Sequence, residues 1–181
     1  MDQFRQIKEI ARQAGEQNHC RLYDIYRHRD RFQVFIDKPP DSSGVTVEDC
    51  ENVFHSLSFL MRAECPELLK SHRLEVSSPG LERKLREKWH FVESVGLQIK
   101  MSLFHPVKGV HLKTGKECQS SSFSGTLESL HGEVLKVKGD LQEWQVPLSE
   151  IKTAQVVLSG LFNKIDGSKG GAKRNTKKRK K

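Results

Sequence analysis

Apolar residues recur at Phe4, Ile7, Ile10, Ala11 and Ala14, and this helical spacing predicts an amphipathic helix that Gly15 ends. Leu22, Tyr23, Ile25 and Tyr26 then crowd a strand over 20–27. From 31 to 37 the pattern alternates cleanly, with Phe32, Val34 and Ile36 on one face. The charged connection Arg27-His28-Arg29-Asp30 makes the two strands a hairpin. Pro39-Pro40-Asp41-Ser42-Ser43-Gly44 is a loop, and Thr46-Val47-Glu48-Asp49 opens the next helix as a capping box. That helix carries a stripe of Val47, Cys50, Val53, Phe54, Leu57, Leu60 and Met61, and Glu64-Cys65-Pro66 ends or interrupts it. A strand over 73–77, with Leu74 and Val76 to one side and Glu75 to the other, completes an α-β-β-α-β unit.

The pattern changes after residue 85. A short helix is expected over 87–95, with Trp89 and Val92, or Phe91 and Val95, facing inward. From Gly96 the chain reads as all β, with strands over 97–104, 123–130, 133–138, 143–147 and 155–158. His131-Gly132 and Gly139-Asp140 are turn pairs, and Pro147-Leu148-Ser149-Glu150-Ile151 fits one tight turn before the last strand. Residues 105–122 are left as a long loop. The fold class is α+β: an α/β domain over 1–85, a small SH3-like or Sm-like β-barrel over 86–160, and a tail over 161–181. Trp144 alternates with Gln145 and is placed in the core rather than on a base-stacking surface; Phe35 is the better outward contact.

Charge changes this picture at one end. The chain has 181 residues and a formal net charge of +8. Residues 164–181 hold nine Lys or Arg and one acid, so the tail carries the whole excess. Gly, Ser, Asn, Lys and Arg cannot bury enough apolar surface to offset chain entropy, which predicts a disordered basic arm. Such arms contact nucleic acid, or serve only as solvated solubility segments. The four cysteines show no CxxC spacing and the eight histidines no HExxH, so reduced structural or surface thiols are expected and no metal or cofactor. Neither a signal peptide nor a membrane span is expected, and a cytoplasmic location follows.

The densest chemistry lies at the end of the third strand. Ser77-Ser78-Pro79-Gly80 sets two hydroxyls and a turn at a strand end, and Arg83, Lys84, Arg86 and Lys88 follow at once. Arg and Lys beside such a corner favour an anionic partner. Two readings are open for it, a binding corner or a tight interdomain turn. The run Leu74-Glu75-Val76-Ser77-Ser78-Pro79-Gly80-Leu81-Glu82-Arg83-Lys84-Leu85 resembles the signature of the RimP-type ribosome maturation factors, with Lys84 where proline is usual. Leu22-Tyr23-Asp24, Phe35-Ile36-Asp37, the run from Gly44 to Cys50 and the run from Val146 to Ile151 extend the resemblance over 22–158. Loss of proline at 84 allows a more continuous helix over 81–95.

The resemblance implies a bacterial assembly factor with no active site, which binds precursors of the small (30S) ribosomal subunit through 16S rRNA and the ribosomal protein at the decoding centre. A monomer is expected. The residues assigned to RNA or ribosome binding are Ser77, Ser78, Pro79, Gly80, Arg83, Lys84, Arg86 and Lys88, with Lys177, Lys178 and Arg179 in the tail. Charge reversal at Arg83 and Arg86 is expected to leave the fold intact. An enzyme is disfavoured: no phosphate-cradling glycine motif or GxSxG elbow is present. Glu48 and Asp49 are accounted for by capping and the helix dipole. The alternative is a free RNA-binding regulator with an Sm-like barrel.

Overall fold

The computed structural model describes residues 3–158, so the expected basic tail, including Lys177, Lys178 and Arg179, lies outside the described residues. The chain divides between Arg83 and Lys84 into two units. The expected boundary after residue 85 moves back by two residues, because Leu85 is only 2% exposed and belongs to the second core.

The first unit begins with α1 (Gln3–Gln17) and the hairpin β1 (Arg21–Arg27) and β2 (Arg31–Asp37). It continues with α2 (Val47–Glu64), α3 (Pro66–Ser71) and β3 (Arg73–Ser77). Gly15 does not stop α1. It is buried there because the returning chain passes so close that an added Cβ would meet the Cys20 carbonyl oxygen at 3.2 Å. The helix is left instead through His19, whose φ of 56° is the left-handed conformation. The sheet order is β1-β2-β3, with β1 antiparallel and β3 parallel to the central β2. Parallel pairing needs a crossover, and α2 and α3 provide it. Ile7, Ile10 and Ala14 of α1 and Val53, Leu57 and Met61 of α2 pack on Phe32, Val34 and Ile36, which are all fully buried.

The α2 start is the expected capping box. Thr46 Oγ1 accepts from the Asp49 N–H at 3.2 Å, and the Asp49 carboxylate accepts from the Thr46 N–H at 2.8 Å. Lys38 Nζ adds an ion pair to the same carboxylate at 2.7 Å. Val47, placed on the inner stripe by its spacing, is instead 76% exposed at the first position of the helix. The separate helix α3 is a second departure. Pro66 stands at its first turn, where a missing N–H removes no helical bond, so the proline starts a helix as well as ending one.

The second unit holds α4 (Lys88–Glu93), β4 (Gln98–His111), β5 (Glu117–His131), β6 (Val134–Lys138), β7 (Gln142–Pro147) and β8 (Ile151–Val156), with a 3-10 turn at Leu148–Glu150. No continuous helix runs over 81–95. Residue 84 is instead bridged antiparallel to Gln155. On α4 the inward side chains are His90 and Phe91, while Val92 and Val95 are exposed. All the strand pairs are antiparallel. β5 pairs with β6, β6 with β7, β7 with β4, and β4 with both β5 and β8, so the pairing returns to β5.

The expected loop over 105–122 is a hairpin extension of β4 and β5, joined by a turn at 112–116. Pro106 falls in the stretch where the β4–β5 register shifts, between Ser102 and Val107, so its missing N–H breaks no ladder bond. β8 starts four residues earlier than expected, at Ile151. Trp144 is core, 5% exposed and stacked on Phe123 with ring centroids 4.6 Å apart. Gly109 is the residue across from it on β4, and an added Cβ would stand 2.4 Å from the indole ring.

Two outcomes test this packing. Gly109→Ala must displace the Trp144 ring and is expected to destabilise the chain by about 1–3 kcal/mol in urea melts; a neutral substitution would mean that the indole is not seated there. The Lys38 ion pair and the Thr46 hydrogen bonds hold the Asp49 carboxyl down to about 2, against an ordinary value near 4. Its folded pKa is depressed, so its contribution is complete above about pH 4 and is lost as the pH falls toward 2. Asp49→Asn is expected to cost about 1–2 kcal/mol at neutral pH. The gap from the parent chain should close over that acid range in chemical denaturation at stepped pH.

Candidate nucleic-acid interface

The Ser-Ser-Pro-Gly corner leaves β3 where Ser77 pairs with Phe35 of β2. Ser77 is half-buried, Ser78 and Gly80 are exposed, and Gly80 has a φ of +73° in open space. Glycine is therefore required by the backbone conformation and not by a close neighbour. The chain is then tied back by Arg83. Its Nε donates to the Gly80 carbonyl at 3.1 Å and its Nη1 to Asp37 Oδ2 at 2.8 Å. The same guanidinium lies 5.4 Å from the centre of the Tyr23 ring.

Asp37 ends β2 with 7% of its surface exposed and has a second, longer ion pair with Arg21 at 3.5 Å. Tyr23 is the extra residue at the register shift in β1, between Leu22 and Asp24, and burial raises its phenol pKa, with Arg83 opposing. One arginine thus joins the corner, the end of the central strand and the β1 bulge. The sequence reading grouped Arg83 with the binding cations, whereas the structure gives its guanidinium a task inside the first unit. Phe35 is half-buried and packs edge-on against Tyr26, with centroids 5.8 Å apart.

Lys84, Arg86 and Lys88 fall in the second unit, so the cluster that is continuous in sequence is divided between the two units. Lys84 and Arg86 are exposed, and Lys88 forms an exposed ion pair with Glu133. The backbone N–H groups of Arg86 and Glu87 both donate to His90 Nδ1, at 3.0 and 3.1 Å. Accepting twice at Nδ1 fixes the neutral ring with its proton on Nε2 and holds this segment in one course. A cavity of about 700 Å³ opens beside it, lined by Lys84 and Arg86 together with Lys100 of β4 and Lys152 of β8. Sequence spacing could not find the last two, because strand pairing alone brings them to residue 84.

Residues 10–82 match the family model of the RimP N-terminal domain. That match supports a RimP-type family. The match runs from the middle of α1 to the residue before Arg83. The Arg83–Asp37 bracket sits at the end of this RimP domain and explains why an arginine follows its Ser-Ser-Pro-Gly corner. Among the described residues no group of His, Cys, Asp or Glu is placed to hold a metal ion. Burial raises the thiol pKa values of Cys20, Cys50 and Cys65, which keeps them protonated and poorly nucleophilic. No described helix is long and apolar enough to cross a membrane.

Removing Arg83 leaves the buried Asp37 carboxylate with only the longer Arg21 contact. Arg83→Gln is expected to destabilise the RimP unit by about 1–3 kcal/mol in urea. Charge reversal there should cost more, contrary to the expectation from sequence. Lys113→Gln, an exposed position, should leave the melt unchanged, and equal melts for the two variants would remove the bracket from the account.

Proposed function

We propose that this chain assists assembly of the small ribosomal subunit without catalysing a reaction. In this reading it binds pre-30S particles in the bacterial cytoplasm through 16S rRNA and the ribosomal protein of the decoding centre, and acts as a monomer. The observation that carries the reading is the RimP N-terminal domain over residues 10–82, with its braced corner. The second unit supports it. Its pairing circuit through β4 to β7 suits an SH3-like barrel, a scaffold whose outer surfaces serve for binding.

Lys84, Arg86 and Lys88 supply phosphate contacts in this reading, while Ser77, Ser78 and Gly80 offer hydroxyl and backbone donors to a phosphate or to a protein backbone. Pro79 sets the turn that presents them. The tail, with Lys177, Lys178 and Arg179, adds non-specific affinity by counterion release. Sedimentation of a lysate through a sucrose gradient tests the proposal: the full chain should travel with small-subunit precursors and lose that position when Arg86 and Lys88 are both changed to Glu. Co-migration with small free RNAs alone would instead favour a free RNA-binding regulator.

A further inference from the structure

The outward face of β4 and β8 gathers positive charge around one cavity, and strand pairing sets the positions. Residues 84–86 run along β8: Lys84 bridges Gln155, and the Leu85 N–H donates to the Ala154 carbonyl at 2.9 Å. Leu85 and Ala154 are both core residues, so alternation turns Lys84 and Arg86 outward. Gln155 pairs with Lys100, and Lys100 with Ser124, which makes one outward row. In the next row Ser102 lies between Thr153 and Ser122. Lys152 is the extra residue where the β4–β8 register shifts between Ser102 and Leu103, and this bulge exposes it beside Thr153.

On β4 to β7 several lysines stand against acids. Lys136 meets Glu128 at 3.2 Å and Glu143 at 3.1 Å, and Lys108 meets Glu117 at 3.3 Å. Along the β4–β8 cavity the pattern breaks. No carboxylate is among its lining residues, and Lys100 and Lys152 form no ion pair among the described residues. Gathered like charges repel until an anion arrives, and a cleft walled by protein focuses their field outward. The other polar groups of the cavity lining, Ser102, Ser122, Thr153 and Gln155, are hydroxyls and an amide, which pair with phosphate oxygens and sugar hydroxyls. None of the exposed large apolar side chains lines the cavity; its apolar lining residues, such as Phe91, Met101, Leu148 and Ile151, are buried or half-buried.

We propose that this face of the second unit seats the sugar-phosphate backbone of RNA, with Lys100 and Lys152 as its main phosphate contacts. The inference rests on the assembly-factor reading for its choice of RNA, but it assigns the contact to residues outside the Ser-Ser-Pro-Gly corner. The test uses the full chain with a fluorescent small-subunit rRNA transcript, titrated at several salt concentrations. Lys100→Gln with Lys152→Gln removes two phosphate contacts. It should flatten the slope of log K against log salt by about 1.4–1.8 and weaken binding at about 0.1 M salt by roughly 25- to 60-fold.

A matched pair, Lys113→Gln with Lys116→Gln in the β4–β5 turn, lowers the net charge equally and should move the slope far less. Thermal melts should coincide for all three proteins, because every altered side chain is exposed. If the two pairs flatten the slope equally, only net charge matters and the face is overturned. Unchanged RNA binding together with lost binding of poly-glutamate would give the face to an acidic protein segment and also overturn the proposal. The gradient separates this inference from the broader reading. Loss of RNA affinity in a chain that never tracks small-subunit precursors would sustain the face and sink the assembly role.

Discussion

Asp37 imposes the constraint around which the first unit is arranged. It lies at the end of the central strand, nearly out of water, where an ionised carboxylate without a cation would be costly. Arg83 answers it from 46 residues away and uses the rest of its guanidinium on the Gly80 carbonyl and the Tyr23 ring. The Ser-Ser-Pro-Gly corner is therefore held by the same charge that completes the strand. A loop intended to present hydroxyls and backbone donors must lose little entropy on contact, and this brace supplies that order in advance.

The second unit shows a different economy of charge. Its outer strands β5, β6 and β7 neutralise lysines with neighbouring glutamates, contacts that are worth little to stability when exposed. Their effect is to offset the charge of those lysines locally. The β4–β8 side keeps its cations. Two sides of one small sheet thus differ in charge pairing although both are built from alternating strands, and the difference lies in which outward positions are acidic.

What the sequence made legible was local. The Thr46–Asp49 capping box joins groups three residues apart, and the β2 alternation of Phe32, Val34 and Ile36 states its own buried face. The α+β class and the change to all-β after α4 follow from such patterns. The distal half of the β4–β5 hairpin stayed hidden because Ser120-Ser121-Ser122 and Gly109 weaken the alternation and Pro106 reads as a breaker. Arg83 looked like its basic neighbours, since nothing near it in sequence shows that Asp37 will be buried. Lys100 and Lys152 were out of reach for a similar reason: they are 52 residues apart in number and come to one cavity only through the β4–β8 pairing.

The bulge at Lys152 gives that residue an unusual kind of independence. Ile151 already pairs with Leu103 and Thr153 with Ser102, the next residue of β4, so the strand on either side keeps its in-and-out parity without residue 152. Shortening β8 by this one residue would turn an irregular ladder into a regular one while every other side chain kept its side of the sheet. The lysine is thus an insertion that the architecture tolerates rather than a rung that it needs. Retained amide protection at Ala154 and Val156 in a chain lacking residue 152 would show as much, and would mark the position as one where surface chemistry was added to a strand already long enough to fold.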